Sequence, residues 1–368
     1  MIRLTREARL TRIFSAATPV DQTCLDRPVC VVLIDAEEDF DWGAAFSRAN
    51  TSVSSIGQQW RAHRVFERYD AVPTYLVDFP VAVSDEAVAV LREFLGGGQC
   101  EIGTQLHPWV TPPFDEELTP SNSYAGNLPA ALERAKLCRL TRLISDRFGL
   151  SPVVYRAGRY GLGPSTLAVL EELGYTVDTS VWPLADLRRF GGPDYSALAA
   201  TPFWTGTRGD IFELPVTRGF VGALRERAPA FFPYLSSEFG ERLKLAGFAR
   251  RLGLAELVTL SPEGGTHEER IALTRTLLAN GQRIFTYSYH SSSMVPGNTP
   301  FVRTQDDLER FLADTDAFFA FFRDVAGGEF LTATALRARL LAARSRGEGM
   351  RAASAGQRAE ASPQFPQA

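Results

Sequence analysis

VCVVLIDAEEDFDW, residues 29–42, passes from an apolar run straight into a burst of acid. Val29–Ile34 is mostly β-branched and apolar, which predicts a buried strand. Behind it stand Asp35, Glu37, Glu38, Asp39 and Asp41, five carboxylates within seven residues. Crowded at the mouth of a buried strand they repel one another, so a cation, a proton or an arginine is expected among them. Side chains alternate along a strand, which places Asp35 and Glu37, with Asp39 if the strand continues, on one face and Glu38 on the other. Such a pair suits a general base beside a metal ligand. A solvated acidic loop capping the next element accounts for the stretch equally well.

Outward from this point the chain alternates. Residues 54–70 have helical spacing through Trp60, Val65, Phe66 and Tyr69, and PTYLVDF (73–79) is a second strand. SDEAVAVLREFLGGG begins with a serine cap and ends in glycines, the punctuation of a helix. QCEIGTQL runs as a third strand into His107 and a long proline-rich loop, 107–127, of the kind that often carries function. A long amphipathic helix (128–148), the strand PVVYR, a short helix and the stub TVDTS follow. The stretch 184–210 reads as irregular, whereas DIFELPVT, AELVTL and RIFTYSYH read as strands. This βαβα alternation predicts a parallel sheet, open or closed. The favoured reading is an α/β fold, a distorted (β/α) barrel of about seven parallel strands over residues 28–325. Residues 1–27 form an N-terminal extension, and 326–368 a C-terminal helix with a tail expected to lack order beyond Ser345.

Composition narrows the function. The chain has 368 residues, of which 45% are hydrophobic and 22% charged, as in a globular enzyme or binding protein. A net charge of −4 with no long basic run gives no reason to expect nucleic acid as a partner. No stretch approaches the roughly 20 apolar residues that span a bilayer. Four cysteines without CxxC spacing, and no apolar core for a secretory signal near the N-terminus, favour a cytoplasmic location. A Cys24–Cys30 bridge is conceivable on spacing, while Cys100 and Cys138 read as buried thiols. Oligomeric state is not legible.

Reactive side chains of such barrels gather at the C-terminal strand ends. Asp35, Glu37, His107, Arg156, Asp178 and His290 all fall there. Two of only four histidines are in this set, whereas His63 and His267 lie in or at the start of helices and read as structural. A carboxylate and a histidine are oxygen and nitrogen ligands suited to zinc or a similar divalent ion. A second carboxylate could take a proton from water, and a second histidine could give one to a leaving group. Arg156 would keep the base charged and oriented, or else form a salt bridge at the barrel rim.

The motifs resemble those of the NodB-homology polysaccharide deacetylases, carbohydrate esterase family 4, over roughly residues 28–320. IDAEEDFDW, EIGTQLHPWVTPPF, YRAGRYGLGP, YTVDTSVWP and FTYSYHSSSMVPGNTPFV stand in the family's order. More narrowly, HPWVTPPF, YRAGRYG and YHSSSMVPGNTP are similar to the WalW-type subgroup, associated with bacterial surface polysaccharides. The resemblance implies a hydrolase of carbon–nitrogen bonds that removes acetyl groups from N-acetylated sugars. By position it implies Asp35 as base, Glu37 and His107 as ligands of a divalent metal such as zinc, and Arg156 steering Asp35. It also implies the Tyr160 backbone N–H as oxyanion donor, Asp178 in the motif that orients the acid, and His290 as that acid. The sequence departs from the pattern twice. The family's second histidine falls at Thr111, which leaves Gln105 or Asp39 to complete a ligand set, and its second aspartate of the fourth motif falls at Val181. Two alternatives stay open: a metal-independent amide hydrolase of the same fold, and a catalytically silent glycan-binding protein that stacks sugars on Trp42, Trp109, Tyr160, Trp182 and Trp204.

Overall fold

Val29–Ala36 is a strand buried along its whole length, and its alternation builds two cores at once. Val29, Val31 and Leu33 point inward to meet Leu76, Val154, Val177, Phe212 and Ile284, while Cys30, Val32, Ile34 and Ala36 point outward to the helices. The computed structural model describes residues 13–14, 17–235 and 244–360. Its strands are β1 (Thr18–Pro19), β2 (Val29–Ala36), β3 (Thr74–Val77), β4 (Glu101–Leu106), β5 (Val154–Ala157), β6 (Val177–Asp178), β7 (Phe203–Thr205), β8 (Ile211–Glu213), β9 (Arg218–Val221), β10 (Glu256–Thr259), β11 (Ile284–His290) and β12 (Glu329–Phe330).

Seven of these run parallel in the order β11-β2-β3-β4-β5-β6-β8. The expected seven-stranded parallel α/β barrel is thus the observed architecture. β7 and β1 extend the β8 edge antiparallel, and β12 pairs with the start of β2. The barrel is distorted at one seam, where no strand ladder joins β8 to β11 among the described residues. Threonine hydroxyls bridge it instead. Thr217 N–H donates to Thr286 Oγ1 (2.7 Å), Thr286 N–H to Thr217 Oγ1 (2.8 Å), and Thr286 Oγ1 to the Pro215 carbonyl (3.1 Å). Gly103 in β4 leaves the interior space that its neighbours fill, since a Cβ there would lie 2.9 Å from both Leu76 and the Val154 carbonyl.

Two local expectations are corrected. AELVTL is a strand, but β10 pairs antiparallel with β9 in a separate two-stranded sheet. It is only half-buried, as befits a ribbon with a single covered face. The stretch 184–210 is not wholly irregular, because β7 lies within it and packs Trp204 against Phe212. The C-terminal helix spans Ala333–Glu360 and so continues past Ser345, in a segment rich in the helix-favouring residues alanine and arginine. Residues 361–368 lie outside the described residues. Ala333, Leu336 and Leu340 close the bottom of the inner core with Val20 and Leu25. All four cysteines are free, Cys24 exposed and Cys30 buried. No described helix is long and apolar enough to cross a membrane.

Candidate active site

Above the apolar plug, the same inward positions turn polar. The inward register of β2 continues from Leu33 to Asp35 and then Glu37, that of β5 from Val154 to Arg156, and that of β11 from Ile284 to His290. These residues open into a cavity of about 440 Å³, within the roughly 300–1,000 Å³ usual for small-molecule sites. Asp35, Glu37, His107, Arg156, Tyr160 and His290 all line it, as do Gln105 and Arg159.

Asp35 is buried and clamped by Arg156, whose Nη1 donates to both carboxylate oxygens at 2.7 and 2.9 Å. Arg156 is itself aimed by Nε, which donates to Thr179 Oγ1 at 3.0 Å. Facing this pair, His290 Nε2 lies 3.8 Å from Asp35 Oδ2. The far side of the imidazole is fixed by Glu263, whose carboxylate accepts from the His290 backbone N–H (3.0 Å) and lies 2.7 Å from Nδ1. Burial pulls the His290 pKa down, but the charges of Glu263, Glu37 and Asp35 outweigh it and raise the group to about 10. Those charges favour a protonated ring, whose Nε2 faces Asp35.

Asp178 is not brought to His290. Its Oδ1 accepts from the Ser180 backbone N–H (3.1 Å) and from the Ser180 hydroxyl, beneath the cavity and beside Glu213. Burial raises both acids, Glu213 well above its ordinary value, which favours protonation within the pair. The residue that orients His290 is Glu263, in the loop after β10, within a stretch the sequence reading left without a role.

Glu37 and His107 do meet, with His107 Nε2 3.5 Å from Glu37 Oε2. His107 belongs to a buried Glu38–Asp78–His107 cluster whose ligand-type atoms lie within 4.8 Å of one another and could hold a metal ion. The hydrogen bonds favour a different division of labour. Glu38 Oε2 lies 2.8 Å from His107 Nδ1, and its Oε1 accepts from Trp109 Nε1 at 2.6 Å. Asp78 accepts from the backbone N–H groups of Glu38 and Val81 at 2.9 Å each. With those oxygens engaged, Glu38 and Asp78 act as the outer support that turns Nε2 toward the cavity, the usual arrangement behind a ligating histidine. Glu38 does leave the inner face, as alternation predicts, and takes up this support behind His107. Gly158 makes room for the ring, since a Cβ there would lie 2.4 Å from His107 Cδ2.

In the same cavity, Glu37 Oε1 and Gln105 Oε1 are buried with no hydrogen-bond partner. Two orphaned oxygens and an imidazole nitrogen lining one cavity form a donor set whose chemistry suits a divalent cation. Burial pushes the Glu37 pKa up to about 8, with the nearby histidines opposing it, so this carboxylate lacks a full counter-charge. Asp39 stands outside the set because it lines a neighbouring pocket and not this cavity; its Oδ2 accepts from the Ser54 backbone N–H (2.8 Å) and hydroxyl (2.9 Å) and from the Ser52 hydroxyl (3.0 Å). Thr111 does not line the cavity either, and its carbonyl is taken by Lys136.

Tyr160 and the preceding Arg159 both adopt left-handed backbone, at φ 59° and 55°. That conformation costs a non-glycine residue about 1–3 kcal/mol and concentrates at functional sites. It is held by the Tyr195 hydroxyl, which donates to the Tyr160 carbonyl at 2.6 Å. The Tyr160 ring stacks on Trp182 at 5.2 Å, His107 stacks on Trp109 at 4.3 Å, and Trp42 meets His290 edge-on at 4.9 Å. Four of the five proposed stacking aromatics thus wall the cavity, and Trp204 packs in the core. His63, read as structural, is buried against Phe94 at 3.8 Å with Nε2 2.9 Å from the Tyr75 hydroxyl.

No family model and no curated protein matches the chain. Among solved structures it is similar to a candidate polysaccharide deacetylase from Mycobacterium smegmatis, at 17% identity over 90% of this chain and 96% of that one, with a TM-score of 0.48. A probable polysaccharide deacetylase from Pseudomonas aeruginosa PAO1 shares 15% identity over 84% and 90% of the two chains (TM-score 0.47). PuuE allantoinase shares 15% over 85% and 90% (TM-score 0.46). Likeness at this level says nothing of activity; what the cavity can do follows from its own side chains.

Proposed function

We propose that the protein hydrolyses the acetamide of an N-acetylated sugar, releasing acetate and a free amine, and that it is a deacetylase of the NodB-homology type. The reading rests on one observation above all: Asp35 and His290 face each other across the cavity at 3.8 Å, each held from behind by a group of opposite charge. Arg156 orients the Asp35 carboxylate to take the proton of an attacking water. Glu263 holds His290 as a cation able to protonate the departing nitrogen. The new C–O bond forms as that proton passes to Asp35, and the C–N bond breaks as His290 gives up its own. The Tyr160 backbone N–H, at the strained turn, is the donor for the oxyanion that develops on the carbonyl. Glu37, His107 and Gln105 would hold a divalent ion, in our reading zinc, which supplies a more acidic water and a polarised carbonyl.

The motif order, with HPWVTPPF, YRAGRYG and YHSSSMVPGNTP, supports placement beside the WalW-type proteins and a bacterial surface polysaccharide, or its precursor within the cytoplasm, as substrate. The test is acetate release from N-acetylated glycans by protein loaded with zinc or cobalt. Asp35→Asn should lower turnover by about 10²–10⁴-fold with metal content unchanged, whereas Glu37→Ala should lose the metal. No acetate from any such glycan, or an Asp35→Asn variant with full activity, would end this reading. Activity that survives chelation in metal-free protein would point instead to the metal-independent amide hydrolase.

A further inference from the structure

Of the cations that line the cavity, one has no acid partner among the described residues; the lining carboxylates besides Asp35 are Glu37, 3.5 Å from His107 Nε2, and the exposed Asp41. Arg156 is taken by Asp35 and His290 by Glu263. Arg159 lines the same cavity, and no carboxylate lies within ion-pair distance of it among the described residues. Its guanidinium lies 4.1 Å over the Tyr124 ring and 4.9 Å from that of Phe46. Only Nη1 is engaged, donating to Ser123 Oγ and, at 3.4 Å, to the Pro120 carbonyl. Nε and Nη2 are left to form the side-on donor pair that matches a carboxylate or a phosphate.

The setting is costly unless something answers it. Arg159 is half-buried, and burial already pulls its pKa down. A partly desolvated charge with no counter-charge is unfavourable in the free protein. The residue also sits in the left-handed backbone that projects it beside Tyr160, so chain strain is being spent at this position. Against Trp182 of the cavity wall lies a second arginine, Arg218, 4.4 Å over the ring, donating to the Pro183 carbonyl at 3.1 Å and with no carboxylate within ion-pair distance among the described residues, which adds to a positive potential on that side.

We propose that Arg159 anchors an anionic group of the substrate, so that the favoured ligand is an acidic N-acetylated saccharide carrying a carboxylate or a phosphate close to the acetamide. The inference rests on the cavity being a sugar site. It adds a substrate class that the hydrolytic residues do not themselves require.

Equilibrium binding tests it with three probes: a hyaluronan tetrasaccharide (carboxylate), N-acetylglucosamine 1-phosphate (phosphate) and tetra-N-acetylchitotetraose (neutral). At least one anionic probe should bind the wild-type protein tenfold or more tightly than the neutral one, with a preference that weakens as salt rises. Arg159→Gln should abolish the preference and Arg159→Lys should reduce it, because a point charge replaces the fork. Which anionic probe binds identifies the group. Equal or tighter binding of the neutral tetramer, no binding of either anionic probe, or a preference that survives Arg159→Gln would each overturn the proposal. Should Arg159→Gln fail to fold, an unreduced preference in Arg159→Lys overturns it as well. Acetate release from the neutral tetramer without an anion preference would remove this inference and leave the deacetylase reading. An anion preference without acetate from any glycan would do the reverse.

Discussion

At the residue scale, the site depends on how each reactive group is backed. Glu263 contributes two contacts to His290 and much of the charge that raises its pKa to about 10. An acid loses activity as pH rises through its pKa, so raising that value extends activity toward alkaline pH. Glu263→Gln keeps the shape but removes the charge, and should move the alkaline limb of kcat/KM down by about one pH unit or more. The pH profile of acetate release measures it; an unmoved limb would mean that Glu263 has only a packing role. Asp35, Glu37, His107, Arg156 and His290 were legible because each ends an apolar run, and a polar residue in the inward register of a buried strand has nowhere to go but the cavity. Glu263 was not. It follows a half-buried ribbon strand, 27 positions before its partner, and nothing local marks an acid in SPEGG as different from any other loop acid. The Asp178 placement shows the same limit from the other side: strand position put it near the site, but its neighbours Ser180 and Glu213 hold it below.

At the scale of elements, the first half of the loop 107–127 gathers around a buried ammonium. Lys136, fully buried in the helix Ala130–Phe148, donates to the carbonyls of Pro108 (3.0 Å), Thr111 (2.6 Å) and Pro113 (2.7 Å) and to Glu116 Oε1 (3.0 Å). Three ammonium protons are thus shared among three backbone carbonyls and a carboxylate, all beyond His107 in the loop. Lys136→Met should destabilise the protein by about 3–5 kcal/mol, because Glu116 would be left as an uncompensated buried charge. Urea denaturation measures the loss, and limited proteolysis should then cut within 107–127. The loop's length and prolines announced its importance in the sequence. Its anchor did not show, because a lysine among the charges of an amphipathic helix reads as solvent-facing until the loop is laid over it.

At the scale of the whole molecule, the barrel was legible from the count of alternating strands, and the seven parallel strands appear as expected. What alternation could not convey is the seam between β8 and β11, where two threonine side chains do the work of a strand ladder. Thr286→Val keeps the volume but leaves the Thr217 N–H without its acceptor. The expected cost is about 1–3 kcal/mol, read as a lower urea midpoint with an unchanged slope. Stability equal to the wild type would show that the seam is held by packing alone.

The register of β11 on β2 has a consequence for how the molecule is assembled. His290 is the lateral partner of Asp35, yet 254 residues of chain separate them. Ribosomal synthesis delivers the first of the pair early and the second near the end, and bringing them together closes a very long loop, a slow event for a growing chain. Every chain shorter than this, and every refolding intermediate in which β11 is still undocked, carries Asp35 without its opposite number. Even a chain that holds every other strand of the parallel set lacks the pair until β11 docks, so topology places the pairing of the two residues at the closing step of folding. Recovery of activity after denaturant dilution reports the docking of residues 284–290 onto 29–35, the step that also completes the barrel.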